Sequence, residues 1–192
     1  KITDQNLSFT ERLRKARQFK SKQWQNWLEP KFDNIFLDPY LLPDMKIAVK
    51  RLIAALSRQE KIGIYGDYDA DGIPGTALLL SGLNKAGYQN LCSVIPTREE
   101  GYGLRLERLR ELAEQGVSLI ITVDTGITAQ AEVKEANEWG LEFIVTDHHE
   151  PVGELPPALA VIDPKRSDSK YKNRDLVGTA VAYKLLWALY DE

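Results

Sequence analysis

Residues 61–72 read KIGIYGDYDADG, and this stretch decides the fold. Lys61, Ile62, Gly63, Ile64 and Tyr65 predict a short buried strand, because a brief apolar run bounded by turn formers packs best inside a sheet. The strand leads straight into three carboxylates at alternate positions, Asp67, Asp69 and Asp71. In extended chain, alternate residues point the same way, so the three side chains are expected to converge at the strand's end. Carboxylates packed together repel one another unless a cation lies between them. Oxygen-rich ligation suits Mg²⁺ or Mn²⁺. The plainer alternative is a solvated acidic turn. An EF-hand loop is excluded, since Gly72 follows the third Asp at once and no Glu closes the loop.

Working outward, strands and helices alternate. Further strands are expected at 91–95, 119–123, 143–145 and 160–162, and helices at 44–58, from Pro74 to Gly87, at 104–115, 127–139 and 176–190. Before them, 9–28 predicts one helix capped by Ser8 or Thr10. Its Leu13, Phe19, Trp24, Trp27 and Leu28 form a patchy apolar side, with the two Trp read as packing anchors. Residues 36–43, FLDPYLLP, read as a proline-bounded connector lying on the core. The expected organisation is 1–43 as N-terminal helix and connector, and 44–192 as the catalytic domain. The fold class is α/β, in three layers, with a mostly parallel sheet flanked by helices on both faces. Four strands end in acidic or metal-capable residues: Asp67, Asp69 and Asp71; Asp124; Asp147, His148 and His149; and Asp163. In open parallel sheets, ligands bind beyond the carboxyl ends of the strands.

Composition narrows the class. Hydrophobic content of 43% and charged content of 28% suit a globular domain. No apolar run is long enough to span a bilayer, so no membrane role is expected. The single Cys92 forms no internal disulfide and fits a cytoplasmic location. The absence of an initial Met and the helical pattern running to Glu192 suggest a piece of something longer. Net charge is −3, so the whole does not attract polyanions. Two stretches are locally basic, 11–22 (Arg12, Arg14, Lys15, Arg17, Lys20, Lys22) and 165–174 (Lys165, Arg166, Lys170, Lys172, Arg174). Each reads as a phosphate-backbone surface or as a solvated face.

The chain's two His residues are adjacent, next to an Asp, at a strand end. On the same sheet edge as the other carboxylates, this pattern points to a metal site. Asp124 in VDTGI is the natural bridge between two divalent ions, which together stabilise the attacking and leaving oxygens of a displacement at phosphorus. Neither GxGxxG nor GxxxxGK[ST] occurs, so dinucleotide and P-loop readings lose support.

GDYDADG (66–72), VDTGI (123–127) and VTDHHE (145–150), in that order, resemble motifs I to III of the DHH phosphoesterase superfamily. LDPYLLPDM, IPTREEGYGL, LPPALAVIDPK and LVGTAVAYKLLWAL resemble its RecJ-like exonuclease branch, over residues 37–189. The resemblance implies a metal-dependent 5′→3′ exonuclease on single-stranded DNA in recombination and repair, using Mn²⁺ or Mg²⁺. It implies Asp69, Asp71, Asp124 and His148 as ligands, and Asp67 as a ligand or a residue just behind them. It implies His149 as a ligand or a phosphate contact, Asp147 as the group orienting an imidazole, and Arg98 and Tyr102 as lining of the substrate groove. Arg98 alternatively pairs with Glu99 or Glu100. Implied partners are single-stranded DNA and a single-strand-binding protein or helicase.

The chain departs from the pattern at Thr125, where Asn is more usual, and at Pro74 and Gly75, where hydroxyl residues are commoner. The family's fourth motif, with a further ligating Asp, does not occur within these 192 residues. Weak metal binding and little nuclease activity are therefore expected of this chain. Two other readings stay open: a DHH-type nanoRNA or cyclic-dinucleotide phosphodiesterase, and a non-catalytic module that binds DNA or a replication partner.

Overall fold

Every residue of β1 (Lys61–Gly66) after the first is buried, which places this strand inside the sheet, away from its edges. The computed structural model describes residues 7–31 and 37–192. The other strands are β2 (Leu91–Val94), β3 (Val117–Val123), β4 (Glu142–Thr146) and β5 (Ala160–Ile162). The sheet order is β2-β1-β3-β4-β5, with every pairing parallel. Its near-continuous apolar runs, such as LIIT in β3, are what a sheet covered on both faces requires.

The chain divides into two units, Lys1–Asp38 and Pro39–Glu192. The second holds the sheet and five helices: α3 (Met45–Ser57), α4 (Gly72–Lys85), α5 (Leu106–Glu114), α6 (Gln130–Glu138) and α7 (Gly178–Tyr190). Helices α5 and α6 pack on one face, where Leu109, Leu112, Val133 and Ala136 meet Tyr65, Ile120 and Phe143. Helix α7 contacts both α3 and α4, and all three contact the strands. The result is the three-layer α/β arrangement. Of the connector at 36–43, Phe36 lies outside the described residues, while Pro39 and Leu42 are buried around a short 3₁₀ turn (Pro39–Leu41).

The first unit differs from the single helix expected over 9–28. It contains α1 (Phe9–Ala16) and α2 (Ser21–Leu28). Ser8 caps α1, accepting from the Glu11 N–H at 3.3 Å while Glu11 accepts from the Ser8 N–H at 3.0 Å. The helix stops because Gln18 turns left-handed, at φ 54°. The Phe19 N–H then reaches the Arg14 carbonyl and the Gln18 N–H the Lys15 carbonyl, both at 3.1 Å. This is a Schellman ending built without glycine. Phe19 lands on Trp24 and Trp27, which stack at 5.2 Å between centroids. The aromatics pack on each other, and Arg12, Lys15, Arg17, Lys20 and Lys22 are solvent-exposed.

Elsewhere, side chains shift the expected boundaries. Helix α6 begins three residues later than the pattern suggests, after a turn in which the Ala129 N–H donates to the Gly126 carbonyl at 3.0 Å and the Ile127 N–H to the Asp147 carboxylate at 2.9 Å. Helix α5 begins after Arg105, whose N–H is bonded to the Tyr65 hydroxyl at 3.1 Å. Asp44 precedes α3 without capping it. Its carboxylate accepts from the Val161 N–H (3.1 Å) and from Arg166 (2.5 Å). Arg166 also pairs with Asp168 at 2.8 Å, so this member of the second basic stretch is a structural brace.

The ends of β3 and β4 are locked together. The buried Thr122 hydroxyl donates to the Thr125 carbonyl at 2.7 Å and accepts from the Thr146 N–H at 3.3 Å; Thr146 Oγ1 donates to the Thr122 carbonyl at 2.6 Å. Thr122→Val keeps the shape but strands a buried carbonyl. It is expected to lower unfolding free energy by about 1–3 kcal/mol in urea titrations, with Thr122→Ser close to the parent.

Candidate metal centre

The acidic turn after β1 is not extended. The strand stops at Gly66, and the Asp69 carboxylate folds over the chain, accepting N–H bonds from Asp71 (2.8 Å) and Gly72 (2.9 Å). Such a side-chain-to-backbone turn is a common way to open a helix. It replaces the alternation expected of extended chain. Gly72 is needed for space: a Cβ there would lie 2.5 Å from the Asp67 carbonyl oxygen. Asp67 itself points inward, is buried, and leaves Oδ1 without a hydrogen-bond partner.

The turn separates the three carboxylates. Asp67 and Asp69 come together with Asp124, while Asp71 is drawn to the start of α7. There its two oxygens accept from the Gly178 and Thr179 N–H groups, both at 2.7 Å. Asp124 follows β3 in a left-handed conformation, φ 62°, and is 1% exposed. Asp tolerates that conformation better than most residues, yet it is uncommon and concentrates at functional turns. His148 Nε2 lies 3.0 Å from Asp124 Oδ1 and 3.8 Å from Asp71 Oδ2.

Asp147, fully buried after β4, organises the other imidazole. Its Oδ1 accepts from the His148 N–H (2.7 Å) and lies 2.7 Å from His149 Nδ1; its Oδ2 takes the Ile127 N–H. With Nδ1–H donated to Asp147, His149 keeps Nε2 as a lone-pair donor. The Tyr102 hydroxyl stands 3.2 Å from the same Nδ1 and 3.4 Å from the Asp124 carbonyl. In that tautomer the hydroxyl donates to the carbonyl. Tyr102 is set there by a loop pinned through Tyr65, which donates to the Gly103 carbonyl at 3.4 Å. Arg98 makes no ion pair among the described residues. Glu100 is engaged by Arg108 at 2.9 Å and by the Thr97 N–H at 2.7 Å, and the Arg98 guanidinium lies over the Tyr68 ring, 5.4 Å from its centroid.

Electrostatics single out Asp124. Burial, reinforced by Asp71 and Asp69, pushes its carboxyl up to about 8. Burial also raises Asp67, whereas the Gly72 N–H holds Asp69 below the usual range. The hydrogen bond to Asp147 raises His149. Asp163, at the end of β5, is pushed up to about 7 by burial and belongs to neither ligand group. Among the described residues, two groups offer donor atoms within 4.8 Å of one another: Asp67, Asp69 and Asp124, and Asp124, His148 and His149. Asp124 is common to both. Its buried Oδ1, like that of Asp67, lacks a hydrogen-bond partner. Carboxylate oxygens with one or two imidazoles fit Mn²⁺ or Mg²⁺. Sequence reasoning missed Gly178 and Thr179, which act here through main-chain N–H groups, the Thr179 hydroxyl and the absent side chain of Gly178. The only signal was the GT pair opening the last helix.

Aspartates and paired histidines gathered on the carboxyl-end rim of a parallel sheet mark a domain of the DHH family, to which the chain belongs, the family's N-terminal domain matching residues 61–192. Within it the chain is a homologue of part of RecJ. It is 48% identical over 161 residues to the single-stranded-DNA-specific exonuclease RecJ of Bacillus subtilis, covering 83% of this chain and 20% of that protein. It resembles the crystal structure of an exonuclease RecJ bound to manganese at TM-score 0.68 and 43% identity, over 78% of this chain and 38% of the other. The RecJ–Mn²⁺ structure from Thermus thermophilus gives TM-score 0.70 at 37% identity, over 93% and 24%. The chain thus spans about a fifth of the curated Bacillus relative. No helix among the described residues is long and apolar enough to cross a membrane.

The raised Asp124 carboxyl sets a pH dependence. Without cation, the stability supplied by its neutral form is present below about pH 4 and lost as pH rises through about 8. Asp163 acts with the same sign, lost through about 7. A bound cation displaces the Asp124 proton. Millimolar Mn²⁺ is therefore expected to raise the thermal midpoint more at about pH 8 than at about pH 5.5, and to release protons on binding at neutral pH, read by calorimetry in two buffers.

Proposed function

We propose that this chain carries the metal-binding part of a single-strand-specific DNA exonuclease that hydrolyses phosphodiesters in the 5′→3′ direction. The observation that supports it best is the convergence of Asp67, Asp69, Asp124, His148 and His149 from three strand ends, with Asp124 common to both groups. The homology to RecJ supports the substrate class. The direction and the role in recombination and repair rest on that likeness alone.

In this reading Asp67, Asp69, Asp124 and His148 hold Mn²⁺ or Mg²⁺, with Asp71 and His149 completing the set. Bound divalent cations polarise the scissile phosphate and lower the pKa of water. The chain's own residues do the rest. Asp147 takes the Nδ1–H of His149 and so leaves Nε2 as the atom able to hold a cation. Asp124 stays ionised only while a cation offsets its burial. Arg98, exposed and without an acidic partner, contacts a phosphate oxygen of the strand. Tyr102, packed edge-on to His149 at 5.6 Å between centroids, presents its half-exposed ring along the groove, where an unpaired base can stack.

The test is Mn²⁺-dependent release of nucleotides from end-labelled oligonucleotides. Single strands labelled at the 5′ end should be degraded and duplexes spared. Asp124→Asn and His148→Ala should each lower the rate by about 100-fold or more while leaving circular dichroism unchanged. The resemblance implies a fourth-motif Asp that these 192 residues do not contain, so turnover by the 192-residue chain is expected to be slow and is measured over long incubations at millimolar Mn²⁺. Cleavage of dinucleotides with long strands untouched would instead favour the dinucleotide phosphodiesterase reading.

A further inference from the structure

Helix α7 begins inside the candidate centre, and its first two residues meet two different acidic groups. The Gly178 and Thr179 N–H groups donate to separate oxygens of Asp71, and Thr179 Oγ1 donates to the Asp71 carbonyl at 2.6 Å. One helical turn therefore holds Asp71 at both side chain and main chain, with the positive end of the helix facing the carboxylate. Gly178 meets Asp124. A Cβ on it would lie 2.5 Å from Asp124 Oδ1 and 2.7 Å from Cγ. The backbone of Gly178 is not left-handed, so it is space that excludes a side chain there. Gly75 of α4 closes the same junction from the other side. A Cβ there would come within 2.6 Å of Val123 Cγ1 and 3.2 Å of the Thr179 Cα. The commoner hydroxyl residue at that place would press first on Val123 of β3 and then tightly on the start of α7.

We infer that Gly178 and Thr179 are positioning residues of the metal centre: Thr179 fixes Asp71, and the bare Cα of Gly178 leaves Asp124 the room its carboxylate occupies. The inference rests on the metal-centre reading above. It makes the start of α7 part of the site, although neither residue offers a side-chain ligand.

The test is Mn²⁺ uptake by the 192-residue chain, read from the paramagnetic resonance signal of the free ion, alongside thermal midpoints. Thr179→Val keeps the shape and removes the hydroxyl; Thr179→Ser restores it. Gly178→Ala adds the excluded methyl. Gly82→Ala serves as a control on the same helix pair, since its Cβ would press on Leu186 at 2.6 Å, well along α4 from the centre. Thr179→Val is expected to weaken Mn²⁺ binding about tenfold with Thr179→Ser close to the parent, and Gly178→Ala to weaken it by more than about tenfold. Gly82→Ala should lower the midpoint and leave affinity unchanged. The inference is overturned if Thr179→Val binds as the parent does, or if Gly82→Ala weakens binding as much as Thr179→Val. If Gly178→Ala does not fold, the two Thr179 variants decide. Failure of the parent chain to take up Mn²⁺ at all would remove the metal-centre reading; uptake by the parent with an indifferent Thr179→Val would remove this inference alone.

Discussion

Crowding of carboxylates at one rim is the constraint that the rest of the structure answers. Asp67, Asp69, Asp71, Asp124 and Asp147 gather where parallel strands end, and like charges so close in a partly dry site destabilise the fold unless each finds compensation. The backbone supplies most of it. Asp69 takes two N–H groups at the start of α4, Asp71 takes two at the start of α7, and Asp147 takes those of Ile127 and His148. Asp67 is left with a buried Oδ1 that no hydrogen bond satisfies, and the buried Oδ1 of Asp124 has only His148 Nε2 beside it, at 3.0 Å. The fold thus satisfies Asp69, Asp71 and Asp147 through its own N–H groups and leaves Asp67 and Asp124 open to a cation.

The topology explains why these groups meet. After β1 the chain crosses to β2 on one side, then returns past β1 to β3 on the other. The crevice between β1 and β3 is the switch point, and in open parallel sheets such crevices bind ligands. Asp67 and Asp69 arrive from one side of it and Asp124 from the other. The His pair follows from the next strand, β4, brought level by the Thr122–Thr146 bonds. Those two threonines are buried polar residues among apolar ones because they fix the height at which Asp124 and Asp147 leave the sheet.

Much of this was legible in the chain. Runs such as LIITV in β3 and FIVT in β4, each followed at once by an Asp, announced buried parallel strands and the rim they serve. Helix boundaries were less legible, because they are set by distant side chains. The Asp147 carboxylate takes the first N–H of the expected 127–139 helix, and Gln18 ends α1 in a conformation usually left to Gly. That the DYDAD carboxylates serve the rim was legible, but the way the turn parts Asp71 from Asp67 and Asp69 was not. Alternation in extended chain would aim Asp71 beside Asp69, whereas the Asp69 side chain turns the chain and sends Asp71 to α7. Which carboxylate pairs with which N–H depends on three-dimensional closure, and residue types at fixed spacing do not carry it.

The same closure ties the centre to the helical layer. Helix α7 packs on α3 and α4 along its length, while its N-terminus grips Asp71 and borders Asp124. An apolar helix that would otherwise only cover one face of the sheet therefore also carries the electrostatics of the rim. Any force that shifts α7 along its axis must break two charge-assisted N–H bonds to Asp71 or press Gly178 into Asp124, and both displacements alter the candidate centre. Packing and chemistry meet at a position where the sequence shows only a glycine and a threonine.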